Sequence, residues 1–393
     1  MNICFFAHHS ISGKDGASLS MINIAESLAE EGNKIYIVYP NHPQNVSKHI
    51  GIKNIYLRNY TMRRSLDDSS ISTTIMYKLK EIYNNMASWF ISKKLKCFGV
   101  ELIHINGIDN CIGAQCALRM NIPYVWHIRQ FLEEDLNCTP FNKKKMYGYM
   151  RRADQIIGIS KAVCDKYKRI LMKEVKLIYN GVEPEKYKLK EHAFSSKPYT
   201  MLLAGRISKE KGQMEAVKAL NVLACKGIKL KLLLVGYGID DYYNDIKNYV
   251  KQHRLEEYVR FIQYTDDLRS LRESADIGLI CSVKEAFGRV TVENFFSQIL
   301  CIGANTGGTA ELITNEYNGI LYKSGDYQDL AEKIENVICR MDKHVLAEMI
   351  NRAYIEANDK FTTQRLISEV KSVYLSVTNN QIFKFNRYEQ IGL

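Results

Sequence analysis

The sequence predicts an α/β protein built from two successive Rossmann-like domains, each a parallel sheet flanked by helices. Three observations predict it. Short apolar runs alternate with helical patterns along the whole chain, as repeated β-α-β units require. Several of those runs end in a glycine-containing loop that opens a helix: SISGKDGASLS, LLAGRISKEKG, LLLVGYG and TGGTAEL. A polar stretch with two prolines and no periodicity, EPEKYKLKEHAFSSKP, interrupts the pattern near mid-chain. At 393 residues the chain is also too long for one typical domain. The expected divisions are a first domain over 1–182, a linker over 183–198, a second domain over 199–355 and a helical tail over 356–393.

The first domain opens on a strand, NICFFAHH, a loop holding Gly13 and Gly16, a helix ending at Gly32, and a second strand, KIYIVYP. A loop with two glycines can approach a phosphate closely, although tight turns need glycine for their own sake. Next comes a basic stretch with Arg58, Arg63 and Arg64, then Asp67, Asp68, Ser69 and Ser70 as candidate N-caps. The helix that follows carries Ile75, Met76, Leu79, Ile82, Tyr83, Met86, Trp89 and Phe90 at close to helical spacing, with Lys78, Lys80, Lys93, Lys94 and Lys96 mostly off that stripe. Such a helix either packs its stripe on the sheet or lies on an anionic membrane. ELIHING is a strand with His104 and Asn106 at its end, and PYVWHI is another, ending on His127. A histidine at the carboxyl end of a strand lies at the ligand edge of an α/β sheet. It serves there as an acid, a hydrogen-bond donor or a structural group; position does not choose among them. A basic helix (KKKMYGYMRRADQ), strand IIGIS, helix KAVCDKYKRI and VKLIYNGV close this half.

The second domain opens on strand YTMLLAG and loop RISKEKG. Arg206, Lys209 and Lys211 gather there at a strand end and a helix start. Cations at a helix N-terminus oppose the dipole, a placement that makes sense with an anion between them. Strand KLKLLLVGYG, a helix, strand VRFIQY and helix DLRSLRESA follow. Strand ADIGLI then leads into CSVKEAFGRVTVENFFSQ, which sets Glu285 and Glu293 on either side of Phe287-Gly288, with Val290, Val292, Phe295 and Phe296 on one helical face. Strand ILCIGAN and Gly307-Gly308 repeat the device. NEYNGILYKSG reads as a hairpin-like strand, and FTTQRLISEVKSVYLSV as a final helix.

Composition narrows the function. Hydrophobic content of 46% and charged content of 25% are ordinary for a globular protein. A formal net charge of +11 suggests an anionic partner, such as a phosphorylated substrate or an anionic membrane surface. No Lys/Arg run exceeds three residues, so nucleic acid is not expected. Ten scattered cysteines without a CxxC pair suit reduced thiols in the cytoplasm better than a metal site or disulfides. No signal peptide or membrane-length apolar run is evident.

Taken together, LLAGRISKEKG, LLLVGYG, the E-x7-E stretch EAFGRVTVE and TGGTAEL, preceded in order by the N-terminal glycine loop, WHIRQFLEED and IYNGVEPEKY, resemble glycosyltransferase family 4 over roughly residues 1–375. The resemblance implies a GT-B fold: an acceptor-binding and a nucleotide-sugar-binding domain facing each other across a cleft, with the last helix crossing back to the first domain. It implies a retaining transfer of a hexose from a UDP- or GDP-sugar to a glycan or lipid-linked acceptor, in surface polysaccharide synthesis, with no metal and no cofactor. Its roles carry over to single positions. Glu285 would contact the donor sugar and Glu293 the ribose. The amides after Phe287 and Gly288 would face sugar and phosphates, with Arg289 and Val290 in the same stretch. Arg206 and Lys211 would neutralise the diphosphate, Gly13 and Gly16 would border it, and His127 would lie near the donor sugar. Location follows as cytoplasmic, with peripheral attachment to the inner membrane face as an extension. The chain departs from the family at GKDGAS, where adjacent glycines are common, and at NFFSQ after Glu293. The rival readings are a nucleotide-sugar 2-epimerase or a non-catalytic partner subunit of the same fold. An NAD-dependent dehydrogenase lacks support, since no compact G-x-G-x-x-G follows the first strand.

Overall fold

In the computed structural model of the chain, residues 1–9, 15–66, 70–108, 111–187, 199–238, 241–263, 265 and 268–390 are described. They divide into two units, Met1–Gly181 with Thr363–Leu393, and Val182–Thr362.

The first unit runs β1 (Asn2–Phe6), α1 (Gly16–Glu30), β2 (Lys34–Tyr39), β3 (Ile52–Tyr56), β4 (Arg63–Ser65), α2 (Ile71–Cys97), β5 (Leu102–Asn106), α3 (Ile112–Met120), β6 (Tyr124–Ile128), α4 (Glu133–Leu136), β7 (Cys138–Pro140), α5 (Lys143–Arg152), β8 (Gln155–Gly158), α6 (Lys161–Leu171) and β9 (Lys176–Leu177). Seven of its strands form a sheet in the order β3-β2-β1-β5-β6-β8-β9, while β4 and β7 pair antiparallel outside it. All pairs in the seven-stranded sheet are parallel. Burial on both faces explains why strands such as Leu102–Asn106 and Tyr124–Ile128 read as continuous apolar runs rather than alternating ones.

The second unit runs β10 (Thr200–Ala204), α7 (Gln213–Cys225), β11 (Lys231–Val235), α8 (Asp241–Gln252), β12 (Val259–Ile262), α9 (Leu268–Glu273), β13 (Ile277–Ile280), α10 (Arg289–Phe296), β14 (Leu300–Ala304), α11 (Gly307–Leu312), β15 (Ile320–Tyr322), α12 (Tyr327–Cys339) and α13 (Lys343–Lys360). Its parallel sheet has the order β12-β11-β10-β13-β14-β15. The core joins Met201, Leu203, Leu232, Leu234, Ile277 and Ile302 of the strands to Leu220 of α7 and Ile334 of α12.

The last helix, α14 (Thr363–Gln390), belongs to the first unit. Leu366, Val370, Val373, Tyr374 and Val377 recur at helical spacing and are buried with Ile24 and Leu28 of α1 and with Phe5 of β1. Residues 356–360 end α13 and stay with the second unit.

Several expectations change. The hairpin-like reading of residues 315–325 is wrong: β15 pairs parallel with β14, reached through α11. Of the expected linker, Pro184–Lys186 form a 3-10 turn of the second unit, and residues 188–198 lie outside the described residues. Asp67, Asp68 and Ser69 also lie outside; Ser70 caps α2, its Oγ accepting from the Thr73 N–H at 3.1 Å. The apolar stripe of α2 does not pack on the sheet at all. Tyr77, Asn84, Ala87, Ser88, Ile91, Ser92 and Leu95 are its buried residues, and the stripe faces outward. All ten cysteines are free, and Cys97, Cys225 and Cys339 are exposed.

Candidate active site

In an open α/β sheet, ligands bind beyond the carboxyl ends of the strands, where the strand order reverses. In the second unit that point lies between β10 and β13, which are neighbours in the sheet but run on to opposite edges. A small pocket of about 50 Å³ opens there, lined by Gly205, Lys211, Ser282, Glu285, Gly288 and Val290 among others.

Two loops supply it. After β10 the chain turns at Gly205, and residues 209–211 make a 3-10 turn that sets Lys211 at the start of α7. After β13 it runs through Glu285 to Gly288, the N-cap of α10, which sits at φ +94° and offers no capping side chain. The N-terminal end of α10 thus carries its positive dipole end uncovered by any side-chain cap. The loops meet in an ion pair: Glu285 Oε2 accepts from Lys211 Nζ at 2.6 Å. Arg206 is exposed, and its guanidinium has no hydrogen-bond or ion-pair partner among the described residues.

Close approach of backbones holds these loops. A Cβ on Gly212 would overlap the carbonyl oxygen of Cys281. Gly307-Gly308, which repeats the strand–glycine loop–helix device, braces the Glu285 loop. A Cβ on Gly308 would overlap the Phe287 carbonyl, and the Gly308 N–H donates to Glu285 O at 2.6 Å.

Glu293 occupies a different setting from Glu285. It is 6% exposed, and its carboxylate takes three protein donors: Arg272 Nη2 at 2.7 Å, Arg289 Nε at 2.9 Å and Tyr187 Oη at 3.0 Å. Arg272 is fully buried, and its guanidinium lies 5.0 Å from the centroid of the Tyr187 ring. Burial, then the neighbouring Glu293 charge, holds the Tyr187 hydroxyl above its ordinary pKa. The pair Arg289–Glu293 follows from i,i+4 spacing on α10. Arg272 and Tyr187 are far away in sequence and carried no signal there. Phe287 is buried, with its ring 6.0 Å from that of Phe361.

The first unit has its own strand-order reversal, between β1 and β5, and a polar network covers it. Asp15 caps α1, accepting from the N–H groups of Ala17 at 3.1 Å and Ser18 at 3.0 Å, and from His8 Nε2 at 3.0 Å. Asn106 Nδ2 donates to His8 Nδ1 at 3.2 Å, and its Oδ1 accepts from Arg129 Nε at 2.8 Å. Arg129 Nη1 reaches Ser20 Oγ at 3.0 Å and Asn180 Oδ1 at 2.5 Å. Burial pulls the Arg129 guanidinium down to about 9, against the raising effects of Tyr374 and Asp15. Sequence reading passed over Arg129 although it stands two residues beyond His127; a lone arginine after a strand has no pattern to mark it.

Asp15 belongs to GKDGAS, where the chain departs from the family loop. It serves as a helix cap. Replacing it with alanine should cost about 1 kcal/mol of stability, measured by urea unfolding, with serine restoring most of the loss. Gly16 is the first residue of α1, and Gly13 lies outside the described residues.

His127 requires a correction. It lies near the carboxyl end of β6, one residue before Ile128, and its side chain is 0% exposed with neither ring nitrogen partnered among the described residues. Its ring lies 5.3 Å from that of His104, which in turn sits 2.6 Å from the Tyr374 hydroxyl. Burial and then the Arg129 charge push both histidines well below their ordinary pKa, so both are neutral core groups in this conformation.

Among the described residues no group of three or more His, Cys, Asp and Glu side chains is arranged to hold a metal ion.

Comparison with known proteins places these features in a family. The model for glycosyl transferases group 1 matches residues 184–354, and that for glycosyltransferase family 4 matches residues 14–186. N-acetyl-alpha-D-glucosaminyl L-malate synthase of Bacillus anthracis is 23% identical over 375 residues, 92% of this chain and 94% of that protein. The capsular polysaccharide biosynthesis glycosyltransferase CapM of Staphylococcus aureus is 26% identical over 238 residues, 56% of this chain and 61% of CapM. Among solved structures, Anabaena Alr3699/HepE in complex with UDP-glucose superposes with a TM-score of 0.74 at 22% identity, covering 96% of this chain and all of that one. That likeness establishes the two-domain GT-B fold. The two family models together span residues 14–354, and the chain belongs to the family 4 glycosyltransferases.

Proposed function

We propose that the protein transfers a hexose from a UDP- or GDP-sugar to a glycan or lipid-linked saccharide, with retention at the anomeric carbon, in the synthesis of a surface polysaccharide. The observation that carries this reading is the grouping of Lys211, Glu285 and the uncapped start of α10 around one pocket, with Arg206 next in the chain to Gly205 of its lining. When the bond between the anomeric carbon and the diphosphate breaks, negative charge grows on the leaving oxygen. Two cations and a helix N-terminus stabilise such charge as an oxyanion hole does, with no metal needed.

Each residue then has a task. Lys211 has three N–H donors, so it can keep Glu285 and still reach a phosphate. Glu285 accepts from the donor sugar hydroxyls. Glu293 meets the ribose through the acceptor direction that its three protein donors leave open, a carboxylate offering about four. The amides after Phe287 and Gly288, with Arg289 and Val290, complete the donor contacts. Retention would follow front-face attack: the acceptor oxygen bonds to the anomeric carbon as the diphosphate leaves, and its proton passes to that phosphate. One relative named as a glucosaminyl L-malate synthase and another named for capsular polysaccharide biosynthesis support a glycan or small hydroxylated acceptor. A cytoplasmic location suits a nucleotide-sugar donor, and with a lipid-linked acceptor the reaction would run at the inner membrane face.

A panel of nucleotide sugars tests the proposal, read first by thermal shift and then by donor hydrolysis. One or two UDP- or GDP-sugars should raise the melting temperature and be hydrolysed slowly. Lys211→Met should lower that turnover about a hundredfold or more while leaving folding intact. Full turnover in that variant would sink the site assignment, and no response to any donor would sink the activity.

A further inference from the structure

Nine large apolar side chains of α2 are exposed: Ile71, Ile75, Met76, Leu79, Ile82, Tyr83, Met86, Trp89 and Phe90. Ile71 is 80% exposed, Leu79 62% and Phe90 61%. At 100° per residue they fill an arc of roughly 140° along a helix about 40 Å long. The side turned to the protein is mixed: Tyr77, Ala87, Ile91 and Leu95 are buried there with Asn84, Ser88 and Ser92. Surface helices of globular proteins keep the face opposite their buried stripe polar, whereas here that outward face is apolar as well. Scattered exposed leucines need no explanation, but a continuous apolar face of this length does.

The charges around the face say what covers it. Lys78 and Lys96 border it on one side and Lys80 on the other, while Lys93 and Lys94 stand at its C-terminal end. The Lys93 ammonium lies 3.5 Å from the Trp89 ring centroid, so its stem follows the apolar surface while its charge stays at the edge. The helix's single carboxylate, Glu81, is tied to Lys145 at 2.7 Å. Beside the N-terminal half lies a depression of about 490 Å³ whose lining includes Arg64, Lys78 and Lys143, none ion-paired among the described residues. Apolar side chains framed by cations match the boundary of a bilayer with anionic headgroups. A second copy of the chain is a poor match, because pairing the face with itself would set lysines against lysines.

We infer that α2 is a docking surface for an anionic phospholipid bilayer, its apolar arc entering the headgroup boundary and Arg64, Lys78 and Lys143 taking lipid phosphates. Among the described residues no helix is long and apolar enough to cross a membrane, so α2 lies along the surface. The inference assigns a surface to the membrane location proposed above, but its test does not depend on the sugar chemistry.

The experiment is flotation of the full-length protein with vesicles of phosphatidylcholine alone or with one-third phosphatidylglycerol. The protein should float with the anionic vesicles, far less with neutral ones, and less as salt rises. A triple variant, Leu79→Ser, Ile82→Ser and Phe90→Ser, should not float. A second, Arg64→Gln, Lys78→Gln and Lys143→Gln, should partition about a hundredfold less, at about fivefold per cation. Both should keep the wild-type melting temperature, since the changed side chains are exposed or half-buried. Failure of the wild type to float with anionic vesicles overturns the inference. So does undiminished flotation of the first variant, or a wild-type dimer in sedimentation that this variant dissociates. Donor hydrolysis in both variants keeps the two proposals apart: lost flotation with intact hydrolysis supports the docking surface, while absent hydrolysis in the wild type speaks only against the donor assignment.

Discussion

Glu293→Ala is expected to destabilise the second unit by roughly 3–5 kcal/mol, the cost of breaking a buried ion pair from one side. The reason is Arg272. Its side chain is fully buried, and Glu293 is its charged partner at 2.7 Å. Its remaining tie, from Nε to Asn294 Oδ1 at 3.3 Å, is to a neutral amide. Without the carboxylate, a guanidinium stays in the interior with its charge unmatched, while Arg289 and Tyr187 lose an acceptor. Urea unfolding monitored on the full chain measures the loss. A double variant, Glu293→Leu with Arg272→Leu, should recover part of it, because replacing both charges removes the desolvation cost along with the attraction. If Glu293→Ala unfolds like the wild type, the buried cluster is wrong. The substitution also removes the proposed ribose contact, so donor binding must be compared well below the variant's melting temperature.

Gly212→Ala is the second large effect. Gly212 sits at φ +69°, where an L side chain is strained by roughly 1–2 kcal/mol. Its added methyl would also collide with the Cys281 carbonyl, which is backbone and cannot rotate away. Overpacking of this kind costs about 1–3 kcal/mol more. The strain is relieved if the turn carrying Lys211 withdraws from the β13 loop, and that parts Lys211 from Glu285. Donor turnover should fall at least as far as in Lys211→Met, with melting lowered as well, whereas Lys211→Met should leave melting near the wild type. Wild-type turnover in Gly212→Ala would mean that the two loops need not touch for the site to work.

The order of strands and helices could be read from the sequence because its signals are local: apolar runs, glycine loops and helical spacing. The pocket was legible to the same extent, since Lys211, Glu285 and Gly288 lie on the loops that β10 and β13 deliver. What failed was whatever depends on which side of an element faces the interior. The apolar stripe of α2 and its periodicity were plain, yet spacing cannot say whether the stripe or the mixed face behind it meets α3 and the rest of the unit. His127 was placed at its strand end correctly, and only packing reveals that its ring is enclosed beside His104. The bracing role of Gly307-Gly308 was not legible, because a glycine that lets another backbone approach looks the same as one that lets a phosphate approach. Arg272 was invisible because its importance lies in a partner 21 residues away.

The return of α14 to the first unit sets chain order against folding order. Residues 1–181 leave the ribosome first, but their core includes Leu366, Val370, Val373 and Tyr374, which are made almost last. The second unit, Val182–Thr362, is continuous and is fully synthesised before that helix exists. Domains fold as units during synthesis, commonly the N-terminal one first. Here the unit begun first is finished second, and a chain stopped short of Thr363 carries a complete second unit beside a first one whose apolar floor is open.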